Sequence, residues 1–200
     1  MLANLRASIV MMALFTLVFG LAYPLAMTGV AGAVFPNQSR GSLIRDAGGQ
    51  VIGSALIAQG FAKPEYLHPR PSAAGNGYDP MNSSGSNLGP MDPALAKRMA
   101  GDAAAIRKDL PNAVIPADAL TTSGSGLDPD VSPQNARMQA PRIAAARHMA
   151  VADVQAAIDG ATGQPFLGFV GQPHVNVLAV NRALDAGHPT AQPGGNGSKA

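Results

Sequence analysis

No charged residue occurs between Arg6 and Arg40. Inside that gap, residues 7–35 read ASIVMMALFTLVFGLAYPLAMTGVAGAVF. A bilayer needs about 20 apolar residues in helical form, and this run exceeds that. A water-soluble fold has little use for so long a stretch without a polar face, so the run predicts one transmembrane helix. Pro24 removes a backbone donor within it, which Thr28 or a neighbouring helix has to offset. Gly20, Gly29 and Gly32 are small enough to let another helix approach closely. A cleaved signal is the rival reading, since Ala31-Gly32-Ala33 fits an A-x-A site. The apolar run is too long for a signal core. The basic residues on its two sides do not decide the orientation. The short stub before it resembles a signal-anchor, with residues 1–6 inside and the domain outside.

The remaining chain is polar, glycine-rich and broken by prolines. Residues 36–50 read as a juxtamembrane linker and 51–59 (VIGSALIAQ) as a short buried strand. Residues 61–72 hold three prolines within FAKPEYLHPRPS and read as ordered loop. Residues 73–92 read as a long loop of Gly, Asn, Ser and Pro. Asp92-Pro93 opens a helix to Leu110, and Ser132-Pro133 opens another that Pro141 interrupts. A short amphipathic helix covers 151–159 and ends at Gly160. HVNVLAVN, 174–181, alternates as a strand does, with a brief helix at 182–185 after it. Residues 186–200 cannot bury a core and read as a disordered tail. The fold class is therefore one transmembrane helix plus a small α/β (α+β) domain, residues 36–185, with few short strands and several short helices.

Ser-Gly-Ser-x-Leu-x-Pro occurs twice, as SGSNLGP at 84–90 and SGSGLDP at 123–129. Each precedes a proline-started helix. A duplicated unit and two uses of common turn chemistry both explain this. The serines, glycines and Asp128 invite a chemical reading. However, there is no phosphate-binding GxxxxGK[ST], and Pro129 stands where GxGxxG needs its third glycine. Ser84 and Ser123 occupy the first glycine position of a nucleophile elbow. Asp128 and Asp130 lack the further oxygen ligands of a calcium loop, so Asp128 reads as a turn cap. Arg70, Arg142 and Arg147 read as surface or ion-pair residues, and Asn176 and Asn181 as strand residues bonding backbone. With no cysteine there is no disulfide, thiolate metal site or thiol nucleophile. The net charge of +2, without a basic run, gives no case for nucleic acid.

Taken in order, the N-terminal span, VIGSALIAQGF, EYLHPRPS, SSGSNLGP, TTSGSGLDPDVSP, APRIAAAR and PHVNVLAVNRALD resemble the C subunit of the bacterial Kdp potassium-transporting ATPase, over residues 5–186. The resemblance implies a non-catalytic, single-pass inner-membrane subunit with no cofactor of its own, ATP and potassium being handled by its partners. Those partners would be a channel-like potassium-translocating subunit, a P-type ATPase subunit and a small peptide subunit, set in membrane lipid. The implied role is assembly, together with raising the ATP affinity of the ATPase subunit as a catalytic chaperone. With the domain outside, that effect on ATP has to be indirect. Two other readings remain: a chaperone that binds nucleotide directly, and a membrane-anchored periplasmic hydrolase. On the first reading Gly20, Gly29, Gly32, Arg70, Ser84, Gly85, Asn87, Ser123, Gly124, Ser125, Gly126, Asp128, Asn176 and Asn181 are subunit-contact or structural positions, none catalytic and none a metal ligand.

Overall fold

A computed structural model describes residues 2–187. The chain divides into two compact units, with the first ending at Ser54. In the first unit, α1 (Leu2–Phe15) runs through a π-helical turn (Thr16–Ala22) into α2 (Tyr23–Val34). Together they form one apolar helix with a candidate span at Asn4–Val34, 31 residues long with a mean hydropathy of 2.2. At 1.5 Å per residue this is about 46 Å, enough to cross a hydrocarbon layer of about 30 Å with tilt. It is therefore long and apolar enough to cross a membrane once. The π turn precedes Pro24, and the Tyr23 amide donates to Val18 O, five residues back. Widening the turn gives the proline ring room against the preceding carbonyls. Thus the helix's own geometry accommodates Pro24, where the sequence suggested Thr28 or a neighbour.

A hairpin follows. Strand β1 (Leu43–Arg45) pairs antiparallel with β2 (Val51–Ser54), with a register irregularity between Ile44 and Arg45. The linker reading of 36–50 therefore missed a strand. Asp46 closes its turn, accepting the Gln50 amide on Oδ1 at 2.9 Å, while Arg45 donates to Gly49 O at 2.8 Å. The expected strand at 51–59 stops at Ser54.

The second unit packs three helices on a small sheet. These are α4 (Pro133–Arg147), α5 (Val151–Gly160) and α6 (Val177–Gly187). The sheet has the order β3 (Asp130–Val131), β5 (His174–Asn176), β4 (Thr162–Gly163), all antiparallel. α4 buries Ala136, Ala140, Ile143 and Ala144, an i, i+4, i+7, i+8 stripe. Val154 and Ile158 of α5 and Val180 and Leu184 of α6 meet it in the core. α4 is continuous, contrary to the expected break at Pro141. That residue lies on the exposed face, where water can serve the carbonyl it leaves unpaired.

The strand expected at 174–181 is also corrected. Only His174–Asn176 is strand, and helix begins at Val177. Asn176 is the switch: its Oδ1 accepts the Ala179 amide at 3.0 Å, capping the new helix. Beyond it the buried positions Val177, Val180, Asn181 and Leu184 follow helical spacing. α3 (Pro93–Asp109) lies apart from this core and buries only Ala103. The tail reading falls on residues 188–200, outside the described residues, apart from Ala186 and Gly187, which end α6.

Candidate functional site

The two serine-glycine loops lie against each other. The Ser84 amide donates to Ser125 O at 3.0 Å and the Ser83 hydroxyl donates to the same carbonyl at 2.9 Å. Gly85 and Gly124 cross so closely that a Cβ on Gly85 would stand 3.1 Å from Gly124 O. Gly126 is buried at φ +67°, where a Cβ would sit 2.6 Å from Ser84 O and 2.7 Å from Ala74 N. Only glycine fits there, on both conformation and space.

The polar side chains of the second loop serve its own backbone. Ser125 Oγ accepts the Leu127 amide at 3.1 Å, and Ser123 Oγ accepts the Asp128 amide at 3.4 Å. Asp128 Oδ1 accepts the Asp130 amide at 3.1 Å, which is the turn cap expected from sequence. Its Oδ2 pairs with Arg70 at 2.9 Å. The same guanidinium donates to Thr121 O and Thr122 O, each at 3.3 Å. Ser72 donates to Gly126 O at 2.6 Å. Hence Arg70, Ser84, Gly85, Ser123, Gly124, Ser125, Gly126 and Asp128 converge on one junction. Asn87 is in the first loop at φ +52°. Asn176 and Asn181 lie elsewhere in this unit. Gly20, Gly29 and Gly32 are on the N-terminal helix, where a Cβ on Gly29 or Gly32 would meet nothing within 4 Å.

Segment 64–72, which carries Arg70 and Ser72, is held in an unusual way. Side chains of α4 and α6 donate to successive carbonyls: Arg142 to Pro64 and Tyr66, Arg147 to Glu65, Asn181 to Leu67 and Gln139 to His68. Asn181 and Gln139 also accept the amides of Leu67 and His68, at 2.7 and 2.9 Å. Each therefore imitates a strand neighbour. Arg147 is buried, pairs with Asp185 at 2.7 Å and lies 5.1 Å from the centre of the Tyr66 ring. Sequence reasoning placed Arg142 and Arg147 on the surface or in ion pairs and did not single out Gln139. A clue existed in the prolines, which deny this segment a regular ladder and leave its carbonyls in need of donors.

Between α3 and α4 lies a cavity of about 650 Å³. Its walls include His68, Tyr78, Asp102, Asp109 and Arg142, with Ile106 and Met138 as apolar lining. Burial, and then Arg142, hold His68 below its ordinary value. Burial raises the Tyr78 phenol, and Asp102 adds to this. Two carboxylates against one guanidinium make no cationic cradle for phosphates.

A family model for KdpC, the K+-transporting ATPase c chain, matches residues 5–186. The potassium-transporting ATPase KdpC subunit of Caulobacter vibrioides strain NA1000 / CB15N is 65% identical over 189 residues, covering 94% of this chain and 96% of that protein. The subunit of that name from Caulobacter sp. strain K31 is 64% identical over 196 residues, covering 98% and 100%. The one from Beijerinckia indica is 57% identical over 195 residues, covering 96% and 98%. Nearly the whole chain is matched in each comparison, and it belongs to the KdpC family, the c chains of the K+-transporting ATPase.

Proposed function

We propose that this chain is a non-catalytic, single-pass accessory subunit of an ATP-driven potassium uptake complex. It holds the assembly together and raises the ATP affinity of the P-type ATPase subunit without touching nucleotide. Its partners on this reading are that subunit, a channel-like potassium-translocating subunit, a small peptide subunit and the surrounding inner-membrane lipid. The amino terminus is cytoplasmic and the domain lies on the opposite side. The observation that carries the non-catalytic part is the junction of the two loops. Ser123, Ser125 and Asp128, the groups most suggestive of chemistry, are spent on the chain's own backbone and on Arg70. A nucleophile needs a base in hydrogen-bond reach, and these hydroxyls instead accept amide hydrogens.

A reporter active only in the cytoplasm, fused after Ala186, tests the placement: no signal is expected, and strong signal overturns it. Gly29→Leu and Gly32→Leu test the assembly role. Neither added side chain meets anything within this chain at its Cβ, so loss of co-purifying subunits reports a neighbouring helix. Full subunit content in both variants would overturn that contact. The direct-nucleotide reading draws on the cavity beside α3, whose volume suits a small molecule. Equilibrium dialysis of the purified full chain against ATP decides it. Saturable binding, lost in Arg142→Gln, would replace the indirect mechanism.

A further inference from the structure

Between β4 and β5 the chain projects a small hairpin, PFLGFVG, residues 165–171. Phe166, Leu167 and Phe169 are each more than 70% exposed, and Val170 is 51% exposed. Nowhere else among the described residues of the second unit do four large apolar side chains stand exposed so close together along the chain. The flanking sequence carries no charge to interrupt them, since no Asp, Glu, Lys or Arg occurs between Asp159 and Arg182, the nearby carboxylate being Asp130 beside His174 on the paired strand.

The backbone of the tip is already closed on itself. Phe166 and Val170 exchange both amide hydrogen bonds at 2.9 Å. The Gly168 amide donates to Pro165 O at 3.0 Å, and that of Phe169 to Phe166 O at 3.3 Å. Leu167 and Gly168, central in the turn from Phe166 to Phe169 within the three-residue loop, take φ +54° and +81°, both left-handed. A bulky residue rarely occupies that region, and here it places a leucine at the apex.

These features favour one occupant. A protein partner that extends a sheet needs free amides and carbonyls, and charged partners need charge. A hydrocarbon interface asks the opposite: apolar side chains outward and backbone polar groups paired internally. On the membrane reading of its N-terminal helix, which is long and apolar enough to cross, the bilayer is also the surface to which this chain is fastened. We propose that the 165–171 hairpin is a lipid-dipping anchor that inserts Phe166, Leu167 and Phe169 into the headgroup–acyl boundary of the membrane its own helix crosses. The anchor rests on the membrane reading of that helix.

The chain has no cysteine, so one introduced thiol can be labelled uniquely. Leu167→Cys, carrying an environment-sensitive fluorophore, is placed in the full chain reconstituted into phosphatidylcholine–phosphatidylglycerol vesicles. Val114→Cys, at an exposed apolar residue away from the hairpin, is the control. Flotation with the vesicles checks the N-terminal helix independently. Among floated chains, the proposal expects a blue shift at 167, quenching by lipids spin-labelled near the headgroup, and loss of iodide quenching, none of which appears at 114. Equal iodide quenching at both positions overturns it. The same probe in the purified subunit complex provides the second arm. Shielding there from both iodide and spin-labelled lipid shows a protein groove and also overturns it. A Phe166→Ser/Phe169→Ser variant that folds normally, by its melting curve, should leave the blue shift at 167 smaller. An unchanged shift would count against insertion.

Discussion

The loops at 84–90 and 123–129 spell nearly the same sequence and share a backbone device. Asn87 and Gly126, at the same place in each, both take positive φ, +52° and +67°. Their surroundings differ. Gly126 and Leu127 are buried, whereas Asn87 is exposed and Leu88 only half-buried. The first loop has room for a side chain at the left-handed position, and asparagine tolerates that conformation. The second has Ser84 O and Ala74 N in the space a Cβ would take. Local sequence sets the turn, and its neighbours decide how much variation the turn allows.

The sharpest way to break the comparison is to put valine at both left-handed positions. Gly126→Val adds a steric clash to the unfavourable φ and should destabilise the chain by roughly 3–5 kcal/mol. Asn87→Val meets mainly the conformational penalty, about 1–2 kcal/mol. Urea unfolding of the full chain in detergent measures both, and equal midpoints would dissolve the distinction. The leucines come next. Leu127→Ala should cost about 2–4 kcal/mol by leaving a cavity, and Leu88→Ala about 1 kcal/mol or less. A larger loss at Leu88 would mean that its loop is the buried partner. Ser125→Ala removes the hydroxyl that accepts the Leu127 amide and should cost about 1 kcal/mol. Potassium-limited growth should then survive in Ser125→Ala and fail in Gly126→Val; equal growth would contradict a mechanical role for the turn.

The smallest effect concerns the segment that holds the second loop. His68 has a lowered folded-state value because of burial and Arg142, partly offset by Lys63 O and Asp109. Below the ordinary value of 6.5 the unfolded chain then binds more protons than the folded one. Stability from this residue is full above that pH and declines as the pH falls toward the folded value. His68→Gln should flatten that part of a melting-temperature profile between mildly alkaline and mildly acidic buffer. An unchanged slope would assign the acid sensitivity elsewhere.

These contrasts also mark where the sequence was readable. The span needed only an uncharged run, and the starts of α3 and α4 needed only cap and proline. Asp92 does accept the Ala94 amide and Ser132 the Asn135 amide. The turn-capping role of Asp128 was legible for the same local reason. The helix at Val177 was misread because β-branched Val175 and Val177 alternate with His174 and Asn176 as the chain enters it. The cap at Asn176 and the apolar spacing to Leu184 were the better signals. The docking of one loop on the other was hidden, although both loops were visible. Contacts such as Ser84 to Ser125 link positions that no local rule connects.

The side-chain donors along 64–68 have a consequence in time. This segment is made early, yet its partners lie on α4 and α6, with Asn181 and Asp185 on the last of the described helices. Until those residues exist, Leu67 has neither its amide nor its carbonyl partner. Closing so long a loop is slow relative to local pairing. The second unit therefore cannot complete itself as it is synthesised. It waits for α6, the last of the described helices, and a chain cut short before α6 leaves Leu67 without its amide and carbonyl partner while α4 can still hold the carbonyls on either side.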